Sequence, residues 1–134
     1  MGKDQTNLLA EYKAYLVTWN KTHNLISKKQ AQKIDDHIAD SLIISPFLNK
    51  NIIDLGSGGG LPGIPLAIIN PDKEFYLIES NTKKSSFLLH TTSRLSLENT
   101  SVINKRIEKV ETKTFPESFD IVCRAVGTTE FIIS

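Results

Sequence analysis

The sequence predicts an α/β fold in which helices precede an incomplete, doubly wound parallel sheet. Three observations predict it. Short apolar runs alternate with amphipathic stretches from residue 51 onward. The first apolar run ends in Gly56-Ser57-Gly58-Gly59-Gly60 and leads into a helix opened by Pro62. The second apolar run ends on an acid, Glu79.

Along residues 7–20, Leu8, Leu9, Tyr12, Tyr15, Leu16 and Trp19 recur at helical spacing, with Glu11, Lys13 and Thr18 between them. The polar stretch from Asn20 to Asn24 breaks that pattern. A second helix is predicted over 29–44, with Ile34, His37, Ile38 and Leu42 on one side and Pro46 as its limit. Ile52-Ile53 begins a buried strand. Residues 62–69 read as a helix, and Pro71-Asp72 as a turn. Phe75 to Ile78 is the second strand, 82–97 a helix with Phe87, Leu88 and Leu95 inward, and Val102-Ile103 the third strand. A short helix over 107–110 and a loop around Pro116 lead to a fourth strand, 119–123. Residues 130–133 begin one more element. The chain thus divides into a helical segment, 1–50, and a sheet-forming core, 51–134. Since few residues follow the fourth strand, no returning strand is expected. An exposed apolar edge near Ile121 to Ile133 follows, with self-association through it.

Composition limits the function. The 134 residues are 40% hydrophobic, enough for a core. Sixteen basic residues against fifteen acidic ones leave a formal charge of +1, so any nucleic-acid contact must come from a local patch. Lys28, Lys29, Lys83, Lys84, Lys105 and Arg106 are candidates for phosphate, although scattered cations are usually a solvated surface. Cys123 is the sole cysteine, which excludes an internal disulfide, gives no metal site and fits a reducing cytoplasm. It reads as a buried strand residue. No stretch is long enough to span a membrane.

Four glycines in five residues exceed what a surface turn needs. Glycine reaches positive φ and lets a ligand lie against the backbone. A nucleotide-binding Walker loop would require Gly-Lys-Ser/Thr, which is absent, and Leu61 stands where a dinucleotide fingerprint requires glycine. NAD and ATP are therefore not expected. The remaining reading is the Gly-x-Gly-x-Gly loop of S-adenosylmethionine enzymes, with Asp54 before it either contacting the ligand or holding the loop through backbone N–H groups. Glu79 then stands where nucleoside-binding sheets place an acid for the two ribose hydroxyls.

Trp19-Asn20-Lys21, Asn24-Leu25-Ile26-Ser27, His37-Ile38-Ala39-Asp40-Ser41, residues 54–65 and Arg124-Ala125 together resemble the bacterial 16S ribosomal RNA guanine-N7 methyltransferase family, the glucose-inhibited division protein B group. Gly58 to Pro65 carries the most specific part of the likeness. The resemblance implies a Rossmann-like class I methyltransferase fold, S-adenosylmethionine as cofactor, and 16S ribosomal RNA or the small ribosomal subunit as partner. It implies cofactor contacts at Gly56, Leu61, Ile107, Glu108 and Arg124, with Ile107 and Glu108 beside the adenine; Asp54, Ser57, Gly58, Gly60 and Glu79 join them from the reading of the loop and the strand end. It implies catalytic roles for Arg124, His37 and Asp40, with no metal. The chain departs from the family pattern at Asp36, where arginine is usual, and in stopping at Ser134. The alternatives are a shortened, cofactor-binding remnant and a methyltransferase acting on a small molecule or protein. His37 reads equally as a packed histidine, Asp40-Ser41 as ordinary helix surface, and Arg124 as one half of an ion pair. Tyr12, Tyr15 and Trp19 read as a core stripe. Methyl transfer to guanine N7 uses an available lone pair, so orientation rather than a general base is expected to matter most.

Overall fold

In the computed structural model, which describes residues 2–124 and 131–133, the chain opens with helix α1 (Lys3–His23). The helix is longer than its apolar stripe at both ends. The Gly2 N–H donates to the Gln5 side chain at 3.1 Å, closing the first turn. Lys21 and His23 occupy the last turn, where cations suit the carbonyl end of a helix. Asn20 therefore does not end α1. Its side-chain oxygen accepts from the Ile26 N–H at 2.8 Å and folds the following chain back, while Asn24 ends the helix in a left-handed conformation, φ 49°.

The single helix expected over 29–44 is two: α2 (Lys28–Ala31) and α3 (Ile34–Ile43). Ser27 and Gln30 cap α2 reciprocally, each side chain accepting from the other's backbone N–H at 3.1 Å. Lys33, at φ −124°, breaks the helical path. The break lets α3 turn Ile34, His37, Ile38 and Ser41 inward, whereas α2 buries nothing.

The sheet contains β1 (Asn51–Leu55), β2 (Glu74–Ile78), β3 (Thr100–Ile103), β4 (Asp120–Arg124) and β5 (Phe131–Ile133), in the order β3-β2-β1-β4-β5. Strands β1 to β4 are parallel, with Asp54 opposite Leu77 on one side and Val122 on the other. Helices α4 (Gly63–Ile69) and α5 (Thr82–Arg94) make the crossovers. The α5 helix ends three residues before the expected limit, with Leu95 capping it and Ser96 at φ 53°. Two short 3-10 turns, Ile107–Lys109 and Thr112–Thr114, link β3 to β4.

One expectation is corrected here. A strand does return: β5 pairs antiparallel with β4, setting Ile133 opposite Val122 and Phe131 opposite Arg124. The edge of β4 is thus not bare, and β5 is the outermost described strand on that side. The further element expected to begin at 130–133 is this strand, and residues 125–130 lie outside the described residues.

Alternation along the strands sends Ile52, Phe75, Leu77 and Val122 into one cluster with Tyr12 and Leu16 of α1, Ile34 and Ile38 of α3, Ile64 and Leu66 of α4, and Phe87 and Leu88 of α5. Each such side chain contributes roughly 1.5–3 kcal/mol on burial. The helices before β1 therefore share their core with the sheet. On the opposite face Ile53 and Ile78 are buried, and Phe115 meets Tyr76 edge-on at 5.4 Å between ring centroids. Cys123 is half-buried rather than buried, because it lies on this less covered face. No described helix is long and apolar enough to cross a membrane.

Candidate functional site

β1 delivers the chain to the glycine loop at the carboxyl end of the sheet, where open α/β folds bind ligands. Gly56, Gly58 and Gly60 have φ of 67°, 57° and 92°, a region costly for other residues. The loop is pinned from several sides. The Ile78 carbonyl accepts from the N–H groups of Gly56 at 2.9 Å and Ser57 at 3.2 Å. The Tyr12 hydroxyl donates to the Gly59 carbonyl at 2.6 Å. A Cβ on Gly59 would lie 3.0 Å from both Leu16 and Ile26, so the N-terminal helical segment packs directly on the loop.

Asp54 anchors the loop from below. It is fully buried, and its Oδ2 accepts from the Ser57 hydroxyl at 2.9 Å and the Gly63 N–H at 3.0 Å. A Cβ on Gly63 would stand 2.5 Å from that oxygen and 2.6 Å from Leu77, so glycine is required there. The Asp54 Oδ1 has no hydrogen-bond partner among the described residues. Burial pushes the carboxyl up from 3.8 to about 8, against the opposing pull of the Ser57 and Gly63 bonds and with a further push from nearby Glu79.

Glu79 closes the loop from the side. Its Oε1 accepts from the Gly58 N–H at 2.7 Å, and its Oε2 from the Asn81 N–H at 2.9 Å. A carboxylate has about four acceptor sites, so both oxygens keep capacity for hydroxyl donors. Beyond it opens a hollow of about 210 Å³ lined by Leu55, Gly56, Ile78, Lys105, Ile107 and Glu108 among others. A Cβ on Gly56 would meet nothing within 4 Å, so the loop faces free space at this point. The glycine loop, the Glu79 carboxylate and the hollow thus lie side by side at the carboxyl end of the sheet.

A family model described as GidB, rRNA small subunit methyltransferase G, matches residues 5–134. The chain belongs to this family. Curated relatives bearing the name ribosomal RNA small subunit methyltransferase G include one from Pseudomonas entomophila, 40% identical over 97% of this chain and 61% of its own length. Another, from Shewanella amazonensis, is 42% identical over 99% of this chain and 64% of its own. A third, from Dichelobacter nodosus, is 46% identical over 75% of this chain and 49% of its own. The chain thus spans less than two thirds of the length of each of these relatives. A crystal structure of precorrin-6y C5,15-methyltransferase from Geobacter metallireducens shares the fold, with a TM-score of 0.58, 15% identity, and coverage of 79% of this chain and 53% of that one.

Against this family frame, the structure gathers Gly56, Ile107 and Glu108 around one hollow. It pairs Asp54 with Ser57 and Glu79 with Gly58 at successive loop positions. The Ser57 hydroxyl and the Leu61 side chain face inward, at 2% and 4% exposure, which leaves only their backbones for a ligand. His37 is buried and Asp40 half-buried on α3, which packs on α4; neither lines the hollow. Arg124 ends β4 two residues past the Asp54–Val122 pair, and its side chain lies outside the described residues. The sequence reading missed the part Tyr12 plays in the site. The available signal was its hydroxyl, which inside a core stripe must find a partner. No group of three or more His, Cys, Asp or Glu among the described residues could hold a metal ion.

Proposed function

We propose that the chain binds S-adenosylmethionine at the glycine loop and works in methyl transfer to guanine N7 of 16S ribosomal RNA. The observation that carries this reading is the Glu79–Gly58 clasp beside the 210 Å³ hollow, in a chain of this family. Glu79 accepts the ribose hydroxyls on its free lone pairs while continuing to hold Gly58. Gly56, Ile107 and Glu108 enclose the adenine. Gly58 and Gly60 let the ligand's tail run along the loop backbone. When bound, S-adenosylmethionine supplies the methyl group as an electrophile. The protein's task is to set the guanine N7 lone pair in line with it and to exclude water, so no residue is required to remove a proton first. Arg124, at the carboxyl end of β4, is assigned to the substrate side of the site. His37 and Asp40 on α3 are assigned to positioning.

Calorimetry with S-adenosylhomocysteine tests the cofactor part. Glu79→Ala is expected to weaken binding about tenfold or more, the worth of a charge-assisted hydrogen bond. Wild-type affinity in that variant removes Glu79 from the ribose. Methyl incorporation into unmodified small ribosomal subunits, with Arg124→Ala for comparison, tests the substrate part.

A further inference from the structure

A second cavity adjoins the glycine loop, apart from the hollow above. It is a groove of about 740 Å³ between the end of α1, the 24–27 turn, α2 and the first turn of α5. Lys21, Lys28 and Lys84 line it, together with the polar side chains of Asn20, Asn24 and Gln32, and no acid is among its lining residues. None of the three lysines is ion-paired among the described residues. Asp35 and Asp36 instead line a separate hollow with Lys13, which pairs with Asp35 at 2.8 Å. A chain of net charge +1 therefore collects three unpaired cations in one groove.

The groove is tied to the cofactor site at two points. Its wall residue Ile26 packs on Gly59. Lys84 follows from Glu79 through two hydrogen bonds, with the Asn81 side chain accepting from the Lys84 N–H at 3.0 Å and the Asn81 N–H donating to Glu79. Its volume falls within the roughly 300–1,000 Å³ range that holds small ligands, so it admits a nucleotide-sized group.

We propose that this groove binds the phosphate backbone of the RNA strand beside the target guanine, a role that rests on the function proposed above. The lysines neutralise phosphates, while the side-chain amides offer donors to phosphate and ribose oxygens. The contacts are to backbone, so they position the strand without reading its sequence.

The test measures fluorescence anisotropy of a fluorescein-labelled, guanine-containing single-stranded RNA oligonucleotide across a salt series. Wild type is compared with the triple variant Lys21→Gln, Lys28→Gln, Lys84→Gln and with Lys113→Gln, which removes an exposed cation that does not line the groove. The triple variant is expected to lose RNA affinity tenfold or more, and its slope of log affinity against log salt to become shallower by about 2. Its affinity for S-adenosylhomocysteine should stay at the wild-type value, which also shows that it is folded. Unchanged RNA affinity and slope in a triple variant that still binds S-adenosylhomocysteine would overturn the proposal. So would an equal loss in Lys113→Gln, or a wild type that binds S-adenosylhomocysteine but no RNA. Failure of the wild type to bind S-adenosylhomocysteine would instead remove the function on which it rests.

Discussion

The glycine loop and the Ile107–Lys109 turn border the same hollow, yet they are held in opposite ways. The loop is braced by the carboxylates of Asp54 and Glu79, by the Ile78 carbonyl and by the Tyr12 hydroxyl. The turn lies at the surface, with Ile107 42% exposed and Glu108 exposed. In the proposed binding mode, the half that would meet the cofactor through its backbone is already braced, and the half that would meet it through side chains lies exposed. Preorganisation lowers the ordering cost of association where backbone geometry cannot be repaired by a rotamer change.

Substitutions on the two sides should therefore divide sharply. The largest effect is expected for Gly63→Ala. Its new Cβ collides with Asp54 and Leu77 under the loop, and urea unfolding should show a loss of about 3 kcal/mol. A stability within error of wild type would mean that β2 and α4 part easily, contradicting a rigid loop base.

Asp54→Asn comes next and acts through pH. The fold accommodates the protonated carboxyl, so its contribution is complete below 3.8 and fades as pH rises toward about 8. Asparagine keeps an acceptor for Ser57 and Gly63 but does not titrate. Wild-type stability should fall relative to the variant as pH rises through that window. Parallel stability curves from acid to alkaline pH would show that Asp54 titrates alike in the folded and unfolded chain, which contradicts the upward shift.

Tyr12→Phe removes a single brace and leaves the Gly59 carbonyl without that donor. A loss of about 1–2 kcal/mol is expected. It should come with weaker S-adenosylhomocysteine binding, because the loop loses a support. Ile107→Ala, on the open side, should change stability by less than about 0.5 kcal/mol. Its effect should appear in affinity alone, at roughly fivefold. A larger effect on stability than that of Tyr12→Phe would reverse the contrast between the two regions.

The parts of this arrangement that depend on local pattern were legible in the sequence. Strands β1 and β2 follow from their apolar runs, and the glycine spacing marks the loop because no other residue adopts those φ values freely. Glu79 follows from its place at a strand end. What was not legible depends on distant partners. Tyr12 meets a carbonyl 47 residues away, which periodicity cannot reveal. The break at Lys33 reflects how α3 must turn to bury His37 and Ser41, and the sequence there still reads as continuous helix. Asp54 was left between ligand contact and loop support, and its bonds to Ser57 and Gly63 give it the second of these. The pairing of β5 with β4 escaped notice because its three residues carry no alternation to read.

The Tyr12–Gly59 bond has a consequence for what a ligand can stabilise. A molecule that selects the ordered loop also selects every contact that orders it, and binding energy is shared with those contacts through linkage. Helix α1 touches the loop through Tyr12 and Leu16 and the rest of the core through the same apolar stripe. Occupancy of the hollow should therefore slow the opening of α1. In the proposed binding mode the amides of α1 would report ligand binding, because Tyr12 and Leu16 brace the loop.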